Sequence, residues 1–118
     1  MLTVLAPIAL VLAQATSAPA LPPLTLEQAS ALRCSVAFGL VHMGQRDGVP
    51  GFDDYPAMGE RGQEFFVRTT AKLMDELDAD RATIVALVKR ESEELGTSPE
   101  RVGEVMPACL MMLEASGL

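Results

Sequence analysis

Cys34 and Cys109 are the only cysteines in a chain of 118 residues. Each falls on the apolar side of a helix-like pattern, and neither belongs to a Cys-x-x-Cys pair of the kind redox enzymes use. In an oxidising compartment such a pair predicts a disulfide between the first and last helices of the domain. On the chain-entropy model, tying residues that far apart would add about 4 to 5 kcal/mol of stability. The alternative is two separately buried thiols, which a cytosolic location would require.

Other chemistry-bearing side chains are sparse. There is one histidine, His42, one tyrosine, Tyr55, and no tryptophan. His42 lies two helical turns beyond Cys34, near a helix C-terminus, where a histidine commonly meets the terminal carbonyls. No nucleophile and base constellation can be assembled, so no catalytic role and no catalytic residue is expected. Methionine is the enriched apolar type, at Met43, Met58, Met74, Met106, Met111 and Met112 beyond the leader. Thioethers bind Cu(I) in exported proteins, and His42 with Met43 is the pair a copper carrier would use. Filling irregular gaps in a core explains the methionines more simply. Met111 and Met112 are a candidate interaction surface if they reach solvent. Asp47, Asp53 and Asp54 lack the alternate-position ligands and terminal Glu of an EF-hand, so neither a metal nor another resident cofactor is expected.

Something must deliver the cysteines to an oxidising compartment. Residues 1–15, MLTVLAPIALVLAQA, carry no charge and hold an apolar run too short to cross a bilayer as a helix. Ala13-Gln14-Ala15 offers a small-x-small cleavage site, and Ala18-Pro19-Ala20 offers a second. The leader has no basic n-region, since the first Lys or Arg is Arg33. We therefore expect a signal peptide over 1–15, an extended Pro-rich arm over 16–24 and a single domain over 25–118, periplasmic or secreted.

The charges narrow the partners. Nine Lys and Arg stand against 16 Asp and Glu, a net charge of −7, and that field repels phosphate backbones and anionic headgroups. Nucleic acid is excluded as an expected partner, and no stable membrane span remains after cleavage. With 49% hydrophobic residues the chain buries enough surface to fold.

Four helices account for the domain. Thr25-Leu26-Glu27-Gln28 is a capping-box pattern that starts the first helix, and Gly44 is the expected stop after Met43. Ala29, Leu32, Val36, Leu40 and Met43 form its stripe, widened by Cys34, Phe38 and Val41, so this helix belongs at the centre. From Gln45 to Met58 the Gly, Pro and Asp residues spell a long loop. A second helix is expected over Glu60–Leu77, with Gly59 and Gly62 permitting close approach near its start. A third, capped by Asp80, runs over Arg81–Leu95 and ends at Gly96, its Glu91, Glu93 and Glu94 forming a solvated face. The fourth begins at Ser98-Pro99 and repeats apolar residues from Val102 to Leu113, with a kink expected at Pro107. No strand pattern competes.

The run Arg61-Gly62-Gln63-Glu64-Phe65-Phe66-Val67-Arg68 and the tail Val105-Met106-Pro107-Ala108-Cys109-Leu110, with Cys34 in the first helix, resemble short exported helical proteins of alphaproteobacteria. The similarity covers most of the mature chain. It implies an envelope compartment and transfers no catalytic residue. A looser, purely architectural likeness to small periplasmic acid-stress chaperones rests on helices and one long-range disulfide. The expected function is thus a small exported binding or structural protein that holds an envelope protein partner, with an acid-stress chaperone or a copper or small-ligand carrier as alternatives.

Overall fold

The computed structural model describes residues 20–118, so the expected signal peptide and the first part of the arm lie outside the described residues. Four helices follow one another: α1 (Leu26–Asp47), α2 (Arg61–Leu77), α3 (Arg81–Leu95) and α4 (Pro99–Ala115), with a short 3-10 turn, Phe52–Asp54, between α1 and α2. Among the described residues there is no strand. Residues 20–24 carry no helix, and Leu21 and Leu24 pack against the core.

Each helix starts where its capping chemistry dictates. Thr25 accepts the Gln28 amide at 3.1 Å while Gln28 Oε1 accepts the Thr25 amide at 3.0 Å, a reciprocal capping box. Asp80 and Ser98 accept the amides of Thr83 and Arg101 in the same way. At the end of α2, Asp78 takes the left-handed conformation, with φ 48°, one of the few non-glycine types that tolerates it.

The end of α1 departs from expectation. Gly44 does not stop the helix; α1 continues through Asp47, and Gly48, with φ 72°, closes it. Gly44 is there for room: it is buried in mid-helix, and a Cβ at this position would overlap the Phe52 ring packed on it. The same residue type serves the two demands of a left-handed cap and a close approach, and only the partner ring decides between them.

α1 is the central helix and packs against α2, α3 and α4. Residues 34–38 are buried without a break, so it meets neighbours on more than one side. Across α2, the rings of Phe38 and Phe65 meet edge to face with centroids 5.2 Å apart. Gly62 lets this crossing close, since a Cβ on it would lie 3.1 Å from Phe38 Cβ. Across α4, Cys34 and Cys109 form the expected disulfide, both buried, with Cα atoms 5.1 Å apart. Leu32, Val41, Leu87, Leu95, Met106 and Leu113 fill the centre and expose essentially nothing.

α4 runs unbroken through Pro107, which lies on the exposed side, where the lost amide deprives only the Gly103 carbonyl of its helical partner. The acidic run of α3 is not simply solvated. Glu91 receives Arg33 of α1 at 2.9 Å, and Glu94 receives Arg101 at 2.7 Å. Arg101 also reaches Glu104 at 3.0 Å, and this clasp on the α3–α4 corner, Glu94 first, raises the Arg101 pKa.

Candidate functional site

The sequence-predicted site residues do not gather into one place. Cys34 and Cys109 are spent on the disulfide. His42 and Met43 are both exposed but point about 100° apart around α1, as adjacent helical residues must. His42 borders a small cleft of about 280 Å³ with Phe38, Met58 and Phe66, while Met43 lies outside it. Asp47, Asp53 and Asp54 are exposed. Among the described residues no three His, Cys, Asp or Glu side chains cluster closely enough to hold a metal ion. Met111 and Met112 are also divided, Met111 standing 74% exposed while Met112 is half-buried in a groove.

That groove, of about 470 Å³, is the more structured concavity. It runs along α2 from Phe65 to Glu76, about 16 Å of helical rise, between the first turns of α1 and the last turns of α4. The floor is apolar, formed by Ala31, Phe65, Leu73 and Met112. Phe65 and Leu73 are buried core residues one helical turn to either side of Thr69.

Thr69 is the anomaly of this stripe. It is 92% buried at a core position, yet its hydroxyl makes no hydrogen bond among the described residues, whereas its neighbour Thr70 donates back to the Phe66 carbonyl at 2.9 Å. No fully buried polar side-chain atom among the described residues lacks a partner, so the Thr69 hydroxyl must be reached by solvent, and the groove is the opening it lines. A hydroxyl facing a concave apolar surface is a ready hydrogen-bonding group for whatever enters.

Two cations flank it on α2. Arg68 touches Glu64 at 3.3 Å, an i,i+4 pair on the outer face of α2. The Lys72 ammonium stands 3.9 Å from both Glu27 and Glu76, too far to hydrogen-bond either. On the α1 wall, Gln28 uses its carbonyl in the capping box, and its amide nitrogen has no acceptor among the described residues. The groove therefore joins an apolar floor to the Thr69 hydroxyl midway along it and to the ion-paired Lys72, Glu27 and Glu76 at the end where α1 begins.

Sequence reasoning missed these residues. The available signal was Thr69 itself, a hydroxyl at the core position of the Phe65, Thr69, Leu73 register. Gln45 was missed as well, and it organises the long loop. Its amide nitrogen donates to the carbonyls of Phe52, Tyr55 and Pro56 at 3.0 to 3.2 Å, and its Oε1 accepts the Met58 amide at 3.3 Å.

No family model, no curated protein and no solved structure matches this chain.

Proposed function

We propose that this is an exported, disulfide-stapled binding protein that receives the apolar part of a ligand or envelope partner in the groove along α2 and performs no chemistry on it. The observation that carries this is the Thr69 hydroxyl, at a core position without a hydrogen-bond partner among the described residues and lining the groove with its apolar floor. A hydroxyl at a core position that is kept in reach of solvent offers a hydrogen bond to an occupant of the groove, which a valine of the same shape would not. Export, cleavage after Ala15 or Ala20 and kinship with alphaproteobacterial envelope proteins belong to the same proposal. The buried Cys34–Cys109 disulfide supports it, because such bonds persist in oxidising compartments. No described helix is long and apolar enough to cross a membrane.

The neutral apolar dye N-phenyl-1-naphthylamine tests the groove. Saturable one-site binding with a blue-shifted emission is expected for the folded protein, and Ala31→Phe, which fills the floor, should abolish it while leaving far-UV circular dichroism unchanged. Absence of dye binding, or binding indifferent to Ala31→Phe and to a second filling variant, Met112→Trp, overturns the proposal.

A further inference from the structure

The sulfur atoms of the protein are unequally placed. Cys34 and Cys109 are already joined, so neither offers a thiol to an oxidant. Among the methionines of the described residues, Met58 and Met106 are core residues with 1% and 0% of their surface exposed, and Met74 and Met112 are half-buried. Met43 and Met111 stand outside, 51% and 74% exposed. One turn to either side of Met111 on α4 lie Pro107, Ala108, Glu114 and Ala115, all exposed themselves, so no large apolar side chain of its own helix shelters the thioether. Met43 is similarly bare. Gly39, four residues before it, has no side chain, and Arg46 and Asp47 on the next turn are exposed. The chain has no tryptophan, which leaves these two thioethers as the most readily oxidised groups on the described surface.

We infer that Met111 is a surface oxidation site, with Met43 as a second, at which the protein takes up an oxygen atom from a peroxide and keeps its fold. The sulfur lone pair attacks one oxygen of hydrogen peroxide. The S–O bond forms as the O–O bond breaks, and the other oxygen leaves as hydroxide, which takes the proton of the transferred oxygen and becomes water. The thioether is thereby oxidised by two electrons to the sulfoxide and the peroxide is reduced to water, with no further co-reactant. A sulfoxide is polar, and at Met58 or Met106 it would lie in the core without a hydrogen-bond partner. At Met111 it faces water and displaces almost no packing. Met111 lies outside the groove, which Met112 lines, so this site stands independently of the binding role proposed above.

Hydrogen peroxide added to the folded, disulfide-bonded protein, followed over time by peptide mapping in a mass spectrometer, tests the assignment. Met111 should convert to the sulfoxide first and Met43 after it, with Met58 and Met106 slower than Met111 by about tenfold or more. In urea, where burial no longer protects, the methionine rates should converge. Protein oxidised at Met111 alone should keep its thermal midpoint and its far-UV circular dichroism. Met111→Leu should remove the fastest oxygen uptake and leave the slower sites at their own rates. Oxidation of Met58 or Met106 as fast as Met111 in the folded protein, a lower thermal midpoint after oxidation at Met111, or an initial uptake rate unchanged by Met111→Leu each overturns the inference.

Discussion

The two sides of α1 obey opposite rules. Toward α4 it is dry and locked: Cys34 is bonded to Cys109, Met106 and Leu113 expose nothing, and no polar side chain there is left to choose a partner. Toward the second half of α2 it opens on a groove where, among the described residues, the Thr69 hydroxyl and the Gln28 amide nitrogen have no hydrogen-bond partner. The locked side does for the open side what preorganisation does in any binding site. A covalent tie and a full core fix where α1 stands, so the groove keeps its shape without collapsing onto the unpaired groups.

Breaking the lock gives the largest expected effect. Reducing the disulfide in the folded protein should lower the unfolding free energy by about 4 kcal/mol, read as a fall in the urea midpoint at unchanged slope. The dye affinity of the molecules that stay folded should fall with it, because α1 is then held by packing alone. A urea midpoint that does not move on reduction would show that the core, not the bond, fixes α1.

A sharper contrast lies within α1, between two glycines five residues apart. Gly44 is buried beneath Phe52, and Gly44→Ala should destabilise by about 1 to 3 kcal/mol through overpacking and release the Phe52 turn. Gly39 has nothing within 4 Å of where its Cβ would stand, so Gly39→Ala should stabilise by about 0.5 to 1 kcal/mol by relieving the entropy of a mid-helix glycine. Paired thermal melts check both, and equal effects in the same direction would mean that the room under Phe52 is not what Gly44 supplies.

These glycines also mark the boundary of what the sequence made legible. Capping is local, and the starts at Thr25, Asp80 and Ser98 lie where their side chains predict. The disulfide was legible too, because an even pair on apolar stripes has one partner to find. Gly44 was misread because a stop and a close approach use the same residue, and the ring that decides comes from Phe52, beyond the helix. The Gln45 clamp and the Arg33–Glu91 pair across 58 residues depend on where the chain returns, which periodicity does not encode. For the groove, the i,i+4 spacing of Phe65, Thr69 and Leu73 puts the three on one face of a helix but does not say that the Thr69 hydroxyl would lack a partner.

Thr69→Val separates stability from binding most cleanly. Because the hydroxyl bonds to nothing in the described residues, the isosteric change should leave the melting temperature unchanged or slightly raised, while the affinity for the naphthylamine dye changes. A lower melting temperature would reveal a structural role for the hydroxyl and weaken the contrast between the two sides of α1.

The smallest effect concerns pH, and it bears on whether acid loosens the open side first. Asp80, exposed at the start of α3, has its pKa held below the usual carboxylate value, chiefly by its hydrogen bonds to the side chain and backbone of Thr83. A carboxylate whose folded pKa is depressed contributes stability that is present above the unfolded value and is lost as pH falls through the folded one. This cap therefore holds α3 from neutrality down to about pH 4 and releases it only in stronger acid. Asp80→Asn keeps an N-cap acceptor without the charge, and should flatten that part of the stability profile below pH 4 while leaving the neutral value nearly unchanged. Amide exchange in the first turn of α3, followed from pH 5 to 2.5, gives the comparison directly. If the first turn of α3 opens well above pH 4, the Asp80 cap is not what holds it.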